Sequence, residues 1–280
     1  MITERRHKFC GTQEGQHLVW CNSTDNTGIM FATIVWVTIL YAAAVCILVF
    51  VQGQMEIYNT IIILVLISLS LWAHLKTMLG DPGAVPSNAF PLPVGENERS
   101  SMNIAMCGRC DGYKPPGSHH DRISNRCISR MDHFCPWMNN AIGARNQKNF
   151  MLFLIYTVLA SSYMYVVVAW HMVDCTGVTD DCRPYVGAGL QCVRVLIFVL
   201  LFAILFTSSM ILNQVYGLAI GLGTIDRMKA SREGPESGTP VPFQDVFGSW
   251  WLAYFLPFDP YFDNEEEVFK YKLGDEKYQL

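Results

Sequence analysis

The sequence predicts an all-α membrane protein whose four transmembrane helices carry a small, zinc-bound, cysteine-rich loop domain between helices 2 and 3. Three observations predict it. Apolar residues make up 51% of the 280-residue chain and charged residues only 16%, against about 25% charged in a soluble domain. Four apolar runs, 29–51, 57–79, 150–173 and 193–220, reach the roughly 20 residues that a bilayer-spanning helix needs. Cysteines crowd the long polar stretch between the second and third runs. The alternative, buried helices of a large soluble core, fits poorly, because runs free of internal charge outlast a normal core helix.

The elements follow in order. Residues 1–28 form a polar N-terminal tail, and the first apolar run is too long for a signal-peptide core, so no cleavable signal is expected. Residues 29–79 make a first transmembrane hairpin. Asp81-Pro82-Gly83 is a turn sequence that stops a helix leaving the membrane. It opens the cysteine-rich domain, 80–149, whose early linker VPSNAFPLPVGENERSS has no apolar periodicity. Residues 150–222 make the second hairpin and 223–280 the C-terminal tail. In the tail, SREGPESGTP reads as a flexible linker. VFGSWWLAYFLPF is too short to span, and its aromatic residues favour the membrane interface, with packing against the loop domain as the alternative.

Orientation follows from the basic residues. Arg5, Arg6 and Lys8 precede the first span and Lys76 ends the second. Arg99, Arg109, Lys114, Arg122, Arg126, Arg130, Arg145 and Lys148 fill the loop, and more follow from Arg227 to Lys277. Only Arg183 and Arg194 lie near the loop between the last two spans. Because Lys and Arg are retained on the cytoplasmic side, both termini and the loop are expected in the cytosol, on a Golgi, ER or plasma membrane. On the opposite side, a disulfide between Cys175 and Cys182 and a pair of free thiols stand as alternatives. Cys46 and Cys192 read as packing residues; Cys10 and Cys21 read as acylated membrane-proximal thiols or as inert ones.

In a reducing compartment, the close spacing of Cys107, Cys110, Cys127 and Cys135 points to metal binding or catalysis. Cys107-x2-Cys110-x9-His120-x6-Cys127 offers three thiolates and an imidazole. That set fills tetrahedral zinc and leaves no open position, which predicts a structural site. His119 is an alternative ligand to His120. A loop of about 70 residues with few aliphatics builds little core, so a metal clip suits it.

Asp81-Pro82-Gly83, the Cys/His loop, Asp132-His133-Phe134-Cys135-Pro136-Trp137, and then Asn140, Gly143, Asn146 and Phe150 together resemble the DHHC protein S-acyltransferases, or palmitoyltransferases. The resemblance covers the four-span topology and most of residues 79–155. The family's loop pattern, C-x2-C-x9-HC-x2-C-x2-C-x4-DHHC-x5-C, resembles two interleaved Cys3His zinc sites. The first falls on Cys107, Cys110, His120 and Cys127, all present. The second would fall on Asp121, Ser124, Phe134 and Ala141, where every ligand is gone. So clean a partition argues for exchange rather than decay: an apolar contact between Phe134 and Ala141, and a turn hydrogen-bonded by Asp121 and Ser124. One structural zinc is expected.

The resemblance implies the chemistry as well. Cys135 attacks as the thiolate, His133 takes its proton, and Asp132 fixes the histidine tautomer and stabilises the imidazolium. Palmitoyl-CoA or another long-chain acyl-CoA is the implied donor, and cysteines of membrane-associated proteins are the acceptors. Ser161, Ser162 and Tyr163 either shape the end of an acyl-chain cavity among the spans or simply pack helices. Lys114, Arg122, Arg126 and Lys148 either meet the CoA phosphates or only set topology. Two family motifs are weakened: a TTxE-like motif reads Gly223-Thr224-Ile225-Asp226, and the tail stretch VPFQDVFG keeps Phe247 and Gly248 without an upstream asparagine. A catalytically silent membrane scaffold is the competing reading, but it gives no reason to keep Asp132, His133 and Cys135. A transporter or channel is disfavoured by spans without a central charge. Lipid is an expected partner and nucleic acid is not.

Overall fold

The computed structural model describes residues 9–10, 21–23, 25–51, 56–92, 104–174, 188–233 and 238–274. Four long helices dominate: α1 (Asn26–Val45), which runs on into a π-helical turn over Cys46–Phe50, α2 (Glu56–Leu79), α3 (Gln147–Asp174) and α4 (Ala188–Ile220). All four are long and apolar enough to cross a membrane. Helices α1, α3 and α4 begin three to five residues before the apolar runs, the first two at the polar residues Asn26 and Gln147. For α1 the reason is a cap: Asp25 accepts a hydrogen bond from the Thr27 N–H at 3.1 Å, satisfying a donor that a helix start leaves orphaned. Cys175 and Cys182 lie outside the described residues, as do the side chains of Cys10 and Cys21.

The chain divides into two compact units. One comprises 33–73 and 151–215, the middles of the long helices. Its core joins small and aliphatic side chains, among them Ala42, Ala43, Cys46, Ile63, Ala160, Met164, Leu196 and Leu200. Ser70 and Thr157 share a hydrogen bond at 2.8 Å, and the Tyr163 hydroxyl donates to Asn59 at 2.7 Å. Small residues and polar pairs of this kind join helices in apolar surroundings. Tyr163 is therefore occupied in linking α2 to α3. Outward, Leu48, Val37, Phe198 and Leu205 stay exposed, as expected of helices that are apolar all round.

The other unit holds the cysteine-rich segment and the tail. Here the chain folds into very short antiparallel hairpins: β4 (Met106–Cys107) with β5 (Gly112–Tyr113), β6 (His119–Asp121) with β7 (Arg126–Ile128), and β8 (His133–Cys135) with β9 (Asn140–Ile142). Two more pairs join Phe9–Cys10 to Cys21–Asn22 and Ala89–Phe90 to Lys272–Leu273. Helices dominate as expected, yet this segment adds strands too short for any periodicity. Left-handed residues at Asp111, Asn125, Arg130 and Asn139 turn the chain, a conformation that Asn and Asp tolerate best.

A brace organises this unit. Asp81 accepts the N–H groups of Gly83 and Ala84 at 2.9 and 2.8 Å, and the chain then threads past β7: Ser129 donates to the Gly83 carbonyl and Arg145 to that of Pro82. Asn140 donates to the carbonyls of Thr77 and Gly80 at 3.0 and 2.8 Å, closing the C-terminal end of α2, where carbonyls lack helical partners. Asn146 accepts the Gly143 N–H and donates to the Ala141 carbonyl, each at 2.9 Å. Gly143 admits no side chain, since a Cβ there would lie 2.5 Å from both Ile128 Cγ2 and the Pro82 oxygen.

The tail docks on the same unit. Half-buried Arg130 donates to the Asp245 carbonyl at 2.8 Å and to Gln147 at 3.3 Å. Val246 and Phe247 are buried, whereas Trp250, Trp251, Phe255 and Phe258 stay exposed. The aromatic tail stretch thus splits between inward packing and an exposed aromatic surface.

Gly143→Ala forces the Ile128 and Pro82 neighbours apart. A loss of about 1–3 kcal/mol in stability is expected, by analogy with overpacked cores, and a lowered thermal midpoint of the detergent-purified protein checks it.

Candidate active site and metal centre

Successive strand residues point to opposite faces. In β8 this puts His133 and Cys135 on one face and Phe134 on the other. The register pairs His133 with Ile142, Phe134 with Ala141, and Cys135 with Asn140, so the residue opposite Cys135 is the one that caps α2. Cys135 and Asp132 are both buried. His133 Nδ1 meets Asp132 Oδ2 at 2.6 Å, which leaves Nε2 for the thiol.

The other carboxylate oxygen of Asp132 accepts the Thr224 N–H at 2.6 Å, and the Asp132 carbonyl accepts the Ile225 N–H at 3.3 Å. Both donors belong to the first turn of the helix Thr224–Glu233, where orphan N–H groups and the helix dipole favour a negative charge. Burial on its own would lower the His133 pKa. Hydrogen bonds to Asp132 and to Cys135 outweigh it and, with the charges of both, raise the pKa to about 9. The ring of Phe150 closes one side, edge-on at 5.6 Å.

The turn after Cys135 is also held. Pro136–Met138 form a single 3-10 turn ended by Asn139 in the left-handed region, with φ of 49°. Asn139 donates to the Asn22 carbonyl at 2.7 Å, and Trp137 packs on Phe31 at 4.7 Å. His74 Nε2 donates to the Trp137 carbonyl at 3.0 Å. Sequence reasoning missed Asn22, which sits in a stretch without pattern. It also missed His74, whose signal was being a lone histidine inside an apolar run.

Cys107, Cys110, His120 and Cys127 come together with their ligand atoms within 4.8 Å of one another. The β4–β5 hairpin supplies the first two and the β6–β7 hairpin the others, His120 and Cys127 being cross-strand partners. His120 points Nδ1 at Cys110 and Cys107, 3.2 and 3.6 Å away. His119 faces the opposite way, with Nε2 on Asp226 at 2.7 Å, so it is not part of the cluster. The Cys110 and Cys127 sulfurs share a hydrogen bond at 3.7 Å, which holds the Cys110 thiol well below its ordinary range and pushes Cys127 up. Packed thiols that resist joint ionisation are what a dication relieves. Three soft sulfurs and one imidazole nitrogen fit tetrahedral zinc with no position open.

The second ligand set of the family pattern does not fit a metal. Asp121 accepts the N–H groups of Ser124 and Ile123 at 2.8 and 3.2 Å, while Phe134 and Ala141 join an apolar cluster with Ile128, Met131, Ala84 and Ile225.

Among the basic residues, Lys114 lines a cavity of about 320 Å³ together with His119, Asp226 and Lys229. Lys229 approaches His119 Nδ1 at 3.4 Å and was not singled out from sequence. Arg122 is exposed and Arg126 half-buried. Lys148 departs from expectation: it is fully buried, with its ammonium donating to the Phe258 carbonyl at 3.0 Å. It fastens the tail and does not face a soluble ligand.

Residues 100–231 match the family model described as DHHC palmitoyltransferase. The chain is 32% identical to the palmitoyltransferase ZDHHC3 of Rattus norvegicus over 215 residues, covering 73% of this chain and 71% of that protein. It is 31% identical to the palmitoyltransferase ZDHHC7 of Mus musculus over 218 residues, covering 74% and 70%. A probable protein S-acyltransferase 13 of Arabidopsis thaliana shares 37% identity over 115 residues, 36% of this chain and 38% of that one.

Metal analysis by plasma mass spectrometry is expected to give about one zinc per folded chain, and Cys110→Ser is expected to abolish it and lower the thermal midpoint. His133 adds a pH dependence. Because its folded pKa is raised, the stability it contributes is fully present below 6.5 and is lost as pH climbs through about 9. Denaturation of wild type and His133→Gln across that window checks the sign, since the variant should lack this decline.

Proposed function

Because this chain belongs to the DHHC palmitoyltransferase family, we propose that Cys135, His133 and Asp132 carry out its protein S-acyl transfer by a two-step exchange at the Cys135 sulfur. The observation that carries this reading is the continuous hydrogen-bonded chain from the Thr224 N–H through Asp132 and His133 to Cys135. A scaffold without catalysis has no use for it.

The chemistry follows from the order of those groups. His133 takes the Cys135 proton, and Asp132, already on Nδ1, stabilises the resulting imidazolium. The thiolate attacks the thioester carbonyl of an acyl-CoA. A new sulfur–acyl bond forms on Cys135 as the bond to CoA breaks, and the leaving thiolate takes the proton from His133. In the second step an acceptor cysteine gives its proton to His133 and attacks the acyl group, and Cys135 leaves and is reprotonated. Zinc, which Cys107, Cys110, His120 and Cys127 would hold, would supply folding free energy and no step of the transfer.

Palmitoyl-CoA is the donor in this reading. Its support is the cavity lined by Lys114, His119, Asp226 and Lys229, in which the two ammonium groups of Lys114 and Lys229 suit phosphate oxygens. His119 connects to the nucleophile through Asp226 and the same first helical turn that holds Asp132. The chain is a multi-pass membrane protein. The distribution of Lys and Arg supports a cytosolic position for both termini and the reacting cysteine, and so for acceptor cysteines on membrane-associated proteins.

Detergent-purified wild type incubated with clickable palmitoyl-CoA is expected to gain a label that hydroxylamine removes. Cys135→Ser should gain none, and His133→Ala should label about 10²–10⁴-fold more slowly, the usual worth of general acid–base catalysis. Full thioester labelling of folded Cys135→Ser would refute the assignment. The initial rate is expected to rise as pH climbs toward about 9, where His133 becomes the neutral base that accepts the Cys135 proton.

A further inference from the structure

The face of β8 opposite the nucleophile is where this chain departs most from its family. Phe134 and Ala141 face each other across β8 and β9, a large residue against a small one, within the cluster of Ile128, Met131 and Ala84. The sixth member, Ile225, comes from the tail side of α4 and not from the hairpins. Ile225 follows Thr224 in the helical turn whose two N–H groups bond Asp132. The side chain of Ile225 is therefore anchored in the apolar cluster while its own N–H and its neighbour's hold the carboxylate that orients His133.

We propose that Phe134 is a positioning residue: sharing with Ile225 the apolar cluster built on Ile128, Met131 and Ala141, it holds the Thr224 turn on Asp132, replacing by apolar contact the bracing that a metal at this place would give. The proposal rests on the reading of Asp132, His133 and Cys135 as the reacting group. Asp121 has both carboxylate oxygens on backbone N–H groups, and the other three positions offer no good zinc donor, so no metal remains to share the task. A histidine at 134 would set a polar ring among Ile128, Met131 and Ala141 with no metal to accept it. Burying such a group unsatisfied is costly. Restoring the family's own histidine should thus weaken this enzyme.

The test compares wild type, Phe134→Leu, Phe134→His and Ile225→Ala as full chains in detergent, by acyl-enzyme formation over a range of palmitoyl-CoA, zinc content, and hydrogen exchange at the Thr224 amide. Phe134→Leu should stay close to wild type, because apolar swaps of similar volume are tolerated. Phe134→His and Ile225→Ala should each lower the saturated rate about tenfold or more through misplacement of the relay. Half-saturation should be unchanged, zinc should hold at about one per chain, and the Thr224 amide should exchange faster. A Phe134→His rate equal to wild type, a second zinc in that variant, or an unaltered Thr224 amide in Ile225→Ala would overturn the proposal. Should Phe134→His fail to fold, the contrast between Phe134→Leu and Ile225→Ala decides it. Should wild type form no acyl-enzyme while its Thr224 amide responds as stated, the reading of Cys135 fails and the packing role stands.

Discussion

One buried carboxylate ties the site together. Asp132 spends one oxygen on His133 and the other on Thr224, while its backbone N–H binds Ile142 and its carbonyl receives Ile225. A carboxylate removed from water is tolerable only when it is paired and hydrogen-bonded. Satisfying Asp132 therefore requires the β8–β9 hairpin and the helix Thr224–Glu233, elements nearly a hundred residues apart in sequence, to meet at one residue. What makes His133 basic is the same set of contacts that makes the fold close.

Around that residue the unit uses three different kinds of fastening. The first hairpins converge on four ligand atoms suited to zinc. Asn140 fixes the end of α2 by hydrogen bonds to its spare carbonyls, and Asp81 holds the turn that follows by accepting the Gly83 N–H. The face of the reacting hairpin opposite Cys135 rests on side-chain packing through Phe134 and Ala141. With little aliphatic content, no single one of these would order so short a segment. Together they restrain opposite faces of β8.

Legibility in the sequence followed the length of the signal. The four helices announce themselves because about 20 apolar residues in a row have few other uses. The cluster of Cys107, Cys110, His120 and Cys127 was readable from spacing, though spacing could not choose between His119 and His120; strand alternation does, turning His119 toward Asp226. The hairpins were invisible, since two or three residues carry no period. Gly223-Thr224-Ile225-Asp226 looked eroded because a motif is judged by side chains. The contact that matters there is a main-chain N–H, which any residue but proline supplies. Lys148 was grouped with the solvent-facing cations because nothing in its neighbours foretold the Phe258 carbonyl above it.

The apolar backing of β8 also has a thermal character. Hydrophobic contact draws its strength from water and weakens on cooling, whereas a metal–thiolate bond owes little to it. The two halves of the cysteine-rich segment therefore answer to different agents. A chelator would act on the hairpins that bring Cys107 and Cys127 together, whereas cooling would act on the packing behind Cys135. The backing of the reacting hairpin is thus the contact in this segment that cooling acts on most directly.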